Sequence, residues 1–106
     1  ILNAGLGDDL LFGGAGIDRL FGRRGVDELT GGAGNDRFIF NLGDDVNTIT
    51  DFEQDGDIIR IGSGAQNFSE LTITQEGDDA LIEFGNVEIL ALNQSAVDFT
   101  DDDFIF

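Results

Sequence analysis

The sequence predicts an all-β chain: a stack of coils, each of strand, turn, strand, turn, followed by a C-terminal antiparallel or irregular β cap. Three observations predict it. A nine-residue pattern recurs in strict phase over residues 4–39, reading AGLGDDLLF, GGAGIDRLF, GRRGVDELT and GGAGNDRFI. Sixteen glycines and no proline favour many tight turns without rigid kinks. From residue 71 onward the pattern becomes apolar–polar alternation broken by turn residues. A fixed period of this length marks a repeat architecture.

The shared template is G-G-x-G-x-D-x-(apolar)-x. Its glycines permit φ > 0 and close backbone approach, so the first six residues curl into a turn. The last three form a short strand whose middle side chain points inward. Residues Ile1-Leu2-Asn3 fit the last three places of an earlier copy, so the chain is expected to start inside a repeat of a longer protein. Two copies, 18 residues, complete one coil. Turns on the same side then stack at about 4.8 Å, the spacing of neighbouring strands. Leu2, Leu20 and Phe38 line one inward column, and Leu11 and Leu29 the other.

A degraded fifth copy follows at 40–48, FNLGDDVNT. It keeps Gly43 and Asp45 in the fourth and sixth places and puts Asn47 where the apolar residue belongs. Residues 46–61 then read as a last irregular coil. A short helical turn is expected near Asn67–Leu71. Leu71–Gln75, Ala80–Phe84 and Val87–Leu92 read as strands, with a turn at Glu76–Asp79. Such strands cover the open end of a stack, which repeat proteins need. The expected organisation is a roll over residues 1–48 and the last coil, cap and chain end over 49–106. The closing Asp103-Phe104-Ile105-Phe106 fits a core strand.

Composition removes whole classes of function. Against 22 acidic residues stand five arginines and no lysine, for a net charge of −17. Such a chain repels nucleic acid and anionic membranes. No apolar run approaches the roughly 20 residues of a spanning helix. Absence of Cys removes disulfides and thiolate metal sites, and absence of His removes histidine acid–base chemistry. Ser63, Ser69 and Ser95 have no base partner, so no catalytic role is expected. GGAG is no phosphate loop, because that motif needs a lysine. Asp51-x-Glu53-x-Asp55-Gly56 fails as an EF-hand loop because Gly62 stands in its twelfth place. Ten phenylalanines, with many Ile, Leu and Val, argue against a disordered acidic tail. A monomer is expected.

The repeat period places Asp9, Asp27 and Asp45 in one column and Asp18 and Asp36 in the other. Carboxylates stacked so closely repel unless a cation separates them. Calcium suits a flexible all-oxygen site of six to eight ligands; magnesium, with its strict octahedron and retained waters, suits it less. Aspartate carboxylates and turn carbonyls would supply the oxygens. The repeat region is therefore expected to be unfolded without calcium, and acid is expected to reverse folding because protonated aspartate cannot ligate.

These residues resemble the repeats-in-toxin (RTX) family, the calcium-binding nonapeptide repeats of exported bacterial proteins. The resemblance covers roughly residues 1–60, and the later part is similar to the flank that follows such repeats. It implies three to four Ca²⁺ ions in the turns of a parallel β-roll, a right-handed β-helix-like solenoid. It implies a secreted, extracellular protein, exported by a type I (ABC-transporter) apparatus that reads an uncleaved C-terminal signal; the acidic-then-hydrophobic chain end looks like one. Carried over, the aspartate ligands are Asp9, Asp18, Asp27, Asp36 and Asp45. The carbonyl donors are Gly5, Gly7, Gly14, Gly16, Gly25, Gly32, Gly34 and Gly43. Asp51, Asp55 and Asp57 are candidates for a last site, against a solvated acidic loop. Two departures stand out: Ala4 for the first glycine of the first copy, and Arg23 for the second glycine of the third. The function implied is a non-catalytic module that folds on calcium after export and stabilises an upstream passenger. A second reading stays open: an accessory module binding a glycan or partner, with Arg19, Arg23, Arg24 and Arg37 as contacts for an anionic glycan. The parent could be a protease, lipase, epimerase or adhesin.

Overall fold

A computed structural model describes residues 1–3, 5–54 and 56–106. In chain order its strands are β1 (Leu2–Asn3), β2 (Leu10–Phe12), β3 (Arg19–Phe21), β4 (Val26–Thr30), β5 (Arg37–Phe40) and β6 (Val46–Ile49). Then come β7 (Ile58–Ile61), β8 (Thr72–Glu76), β9 (Asp79–Phe84), β10 (Val87–Ala91) and β11 (Phe104–Ile105). They form two sheets, ordered β1-β3-β5-β7-β11 and β2-β4-β6-β10-β9-β8. From β1 to β7, odd and even strands alternate between sheets, as a coil of strand, turn, strand, turn requires. The chain is all-β, a parallel β-roll with a β cap.

Every pair in the first sheet is parallel. So are β2–β4, β4–β6 and β6–β10 in the second. The inward columns follow the apolar places of the repeats. Leu2, Leu20, Phe38, Ile59 and Phe104 are successive register partners in one sheet. Leu11, Leu29, Ile49 and Ala91 are successive partners in the other. Apart from the half-buried Leu2, all are buried and form one core. Full burial of each large one contributes on the order of 1.5–3 kcal/mol.

The register then departs from the expected period. Leu11 pairs with Leu29, a spacing of 18, but Leu29 pairs with Ile49 and Phe38 with Ile59. The last two coils are thus two and three residues longer, and the excess lies in the turns. This moves Asp45 out of the aspartate column. Asp27 pairs with Asn47, and Asp45 stands opposite Gly25. Asp45 there adopts φ 61°, in the left-handed region where Gly25 has φ 123°. An aspartate tolerates that region better than most side chains.

The cap is a meander, β8–β9–β10, joined antiparallel. Alternation is strict: Ala80, Ile82 and Phe84 on β9, and Val87, Ile89 and Ala91 on β10, are buried. Strand β10 lies parallel on β6, so the meander covers the end of the second sheet. Short 3-10 turns occur at Phe68–Glu70, Ala96–Asp98 and Asp101–Asp103. The last aims the chain end: the Thr100 N–H donates to Asp103 Oδ2 at 2.9 Å. Strand β11 then closes the first sheet against β7. Phe104 sits in an aromatic run, its ring 5.6 Å from Phe68 and 6.1 Å from Phe99. The chain end is a core strand.

Candidate metal centre

Each turn grips the turn beneath it through an aspartate. The Asp9 N–H donates to Asp27 Oδ1 at 2.9 Å, the Asp18 N–H to Asp36 Oδ1 at 2.9 Å, and the Asp36 N–H to Asp57 Oδ1 at 2.8 Å. The second column is therefore Asp18, Asp36, Asp57, and the first is Asp9, Asp27, Asn47.

What the other carboxylate oxygens do is more informative. Oδ2 of Asp9, Asp18, Asp27 and Asp36 is buried with no hydrogen-bond partner, and so is Oδ1 of Asn47. Asp27, Asp36 and Asn47 are fully buried. An uncompensated buried carboxylate costs several kcal/mol (roughly) and is rare in native proteins unless an ion or water completes it.

The glycine in the first place of the second, third and fourth repeats shows where these oxygens point. A methyl group at Gly13 would stand 2.6 Å from the Gly31 carbonyl oxygen and 2.8 Å from Asp18 Oδ2. At Gly22 it would stand 2.5 Å from Asn47 Oδ1 and 3.2 Å from Asp27 Oδ2. At Gly31 it would run into Asp36 Oδ2. Each such spot thus faces the orphaned oxygen of its own turn. At Gly13 and Gly22 it also faces an oxygen of the next turn in the stack.

The second and fourth glycine places serve the stacking. A side chain on Gly32 or Gly34 would strike the Gly14 or Gly16 carbonyl oxygen, and one on Gly25 the Gly7 oxygen. Those carbonyls therefore face the neighbouring turn. Arg23, in a second place, holds φ 70° where Gly5, Gly14 and Gly32 have φ 85–89°. A non-glycine residue is strained in that region, and the turn nevertheless keeps its shape. Its Nε–H donates to Asn3 Oδ1 at 3.0 Å. Gly43 has φ 95° but lies in the lengthened turn, away from the fourth place.

Among the described residues, no three acidic side chains converge on one point. A cation here must draw most of its ligands from backbone carbonyls. That suits calcium, which accepts carbonyl oxygens and irregular geometry.

The remaining expected ligands are placed differently. Asp51 accepts from the Gly31 and Gly32 N–H groups at 2.9 and 2.7 Å. Asp57 accepts from Asp36 and, through Oδ2, from the Glu53 N–H at 2.9 Å. Both carboxylates already cap backbone. Asp55 and Ala4 lie outside the described residues. Asp45 accepts from the Gly25 N–H at 3.1 Å and is exposed. Sequence reasoning missed Asn47 and the first-place glycines Gly13, Gly22 and Gly31. The signal was available: the column residue stands two before the inward apolar residue in Asp27-Glu28-Leu29, and equally in Asn47-Thr48-Ile49.

Burial raises the carboxyl pKa of Asp27, Asp36, Asp44 and Asp57 above the usual value, against the lowering effect of backbone N–H donors. Neighbouring carboxylates push the same way: Asp9 on Asp27, Asp18 on Asp36 and Asp36 on Asp57. A carboxyl whose folded pKa exceeds its unfolded one opposes folding when ionised. That opposition is absent below the unfolded value, near 3.8, and complete above the folded value. Acid thus acts in two opposed ways, displacing a bound cation and relieving the metal-free fold. In excess chelator, the chain is expected to show more β-sheet circular dichroism at pH 4 than at pH 7. Equal or weaker signal at pH 4 contradicts this.

Taken together, the architecture is a metal-binding parallel roll: stacked glycine turns carrying columns of paired oxygens. The RTX calcium-binding nonapeptide repeat pattern matches four copies, over residues 1–20 and 12–46. This repeat segment belongs to that family. No curated protein matches the chain in sequence. In structure, the chain is similar to the extracellular lipase LipA from Serratia marcescens, with a TM-score of 0.69 at 22% identity over 94% of this chain. The chain corresponds to only 20% of the lipase's length. The AlgE6R3 subunit of the Azotobacter vinelandii mannuronan C5-epimerase overlaps with a TM-score of 0.45, at 20% identity, over 95% of this chain and 78% of that one.

Proposed function

We propose that the chain is a non-catalytic module that folds around Ca²⁺ once outside the cell. The observation that carries this reading is the set of four orphaned, buried aspartate oxygens in a repeat of the calcium-binding family. Four gaps separate successive same-side turns: 5–9 from 22–27, 22–27 from 40–47, 13–18 from 31–36, and 31–36 from the segments that carry Asp51 and Asp57. Asp9, Asp27, Asp18 and Asp36 respectively supply one such oxygen to each. Three to four ions complete them, with Asn47 Oδ1 and carbonyls such as Gly7, Gly14, Gly16 and Gly31 as further donors. A bound calcium would neutralise the column charge and tie adjacent turns together.

In a calcium-poor cytosol the −17 chain stays extended and can be threaded through a type I exporter. Outside, the roll winds, the cap closes it, and an upstream passenger domain is stabilised. The chain is a secreted bacterial protein on this reading and acts as a monomer. Each site filled at 100 times its dissociation constant adds about 2.7 kcal/mol, so several sites decide folded against unfolded. A calcium titration followed by far-UV circular dichroism tests it. Expected is a cooperative gain of β signal, reversed by chelator and not reproduced by magnesium. A chain equally folded in chelator at neutral pH overturns it.

A further inference from the structure

Four of the five arginines gather on one face, although the chain has 22 acids among which to scatter them. Arg19 and Arg37 are direct register partners on β3 and β5. Arg60, on β7, pairs with Ile39, two residues further along β5. Their inward neighbours Leu20, Phe38 and Ile59 are buried, so all three arginines project from the outer face of the first sheet. With Phe21, Ile39 and Asn41 they line a shallow groove of about 280 Å³. Arg23 stands at its margin, its guanidinium 5.1 Å from the centre of the Phe21 ring.

Directly opposed like charges on neighbouring strands are destabilising. Among the described residues, none of the Arg19, Arg37 and Arg60 guanidinium groups has a hydrogen-bonded or ion-paired partner. A −17 chain thus holds three uncompensated cations side by side and places its acids elsewhere. Arg24, expected among these contacts, instead pairs in an isolated bridge with Leu6, and Arg60 takes its place.

We propose that this groove binds a linear carboxylated polysaccharide, a chain of uronate sugars. Guanidinium forks pair with carboxylates in bidentate fashion. Phe21 offers an apolar ring to a sugar face, and Asn41 offers donors and an acceptor to hydroxyls. The surrounding charge selects the shape of the partner. A broad acidic protein, a nucleic acid or an anionic membrane must bring its charge against the acidic remainder of the surface. A thin chain touches only the groove. The site is independent of the calcium columns, which lie in the turns rather than on the sheet face.

The test uses the calcium-loaded chain, freed of excess metal, with trigalacturonate in isothermal titration calorimetry. Saturable binding is expected, weakening as salt rises. The double variant Arg37→Gln with Arg60→Gln is expected to bind at least about tenfold more weakly, with an unchanged calcium-induced circular dichroism signal. A neutral maltotriose control is expected not to bind. Absence of binding by the wild type, binding unchanged in the folded variant, or equal binding of a short polyglutamate peptide each overturns the proposal; the last assigns the groove to acidic peptides instead.

Discussion

Replacing Asp27 by Ala is expected to raise the calcium concentration at the folding midpoint by on the order of a hundredfold. Asp27 is the centre of the first column. Its Oδ1 holds the Asp9 N–H of the turn below, and its Oδ2 faces the same point as Asn47 Oδ1 of the turn above. The substitution therefore damages two gaps at once. Losing a charged, buried hydrogen-bond acceptor costs about 3 kcal/mol, which is about a hundredfold in an equilibrium constant. The metal-free chain loses the same hydrogen bond, but burial already raises the Asp27 pKa and its ionised form opposes folding, so removing the carboxylate is expected to cost that state much less. Asn47→Asp is the mirror image: a second carboxylate should tighten calcium binding and weaken the metal-free fold. Calcium titrations of both variants, paired with urea melts in chelator, read the two effects separately. If Asp27→Ala destabilises both states alike, the side chain is packing and not a ligand.

How this column could be read in sequence, and how it could not, has a physical explanation. Over residues 4–39 both sheets demand one strand per nine residues, so period, strand and aspartate coincide. Beyond residue 40 only the strands remain under that constraint. A turn at the edge of a roll can absorb two extra residues without disturbing any inward side chain, and the turn before β6 does so. Counting by nines then lands on Asp45, whereas the chain counts back from the buried Ile49 and lands on Asn47. Asp57-Ile58-Ile59 obeys the same rule and continues the second column. The cap shows the complementary limit. Alternation located β8, β9 and β10 within a residue or so, since burial on one face is a local property. That β10 joins β6 and β11 joins β7 is decided by pairing across some forty residues, which no local pattern encodes. The arginine groove was half visible: Arg19 and Arg37 share a repeat place, but Arg60 enters only through the lengthened coil that brings it beside Ile39.

Phe104→Ala is expected to lower stability by about 3–5 kcal/mol, the usual effect of emptying a buried aromatic site. A domain of this size has a total of roughly 5–15 kcal/mol, so the variant should fold only at higher calcium, or not at all. The reason lies in the end of the stack. Phe104 is the last member of the inward column that begins at Leu2, and it meets Phe68, Phe99 and Phe106. Without its ring, the packing that seats β11 against β7 is lost, and the core beside Phe68 and Phe99 opens to water. Ile105, the neighbouring strand residue, is 37% exposed, so Ile105→Ala should change stability by less than about 1 kcal/mol. Thermal melts in saturating calcium distinguish the two. A chain end that serves only as an export address predicts no difference between these variants in the purified, folded protein. A large difference means that the same four residues close the roll, so any machinery that reads them must do so before calcium winds them into it.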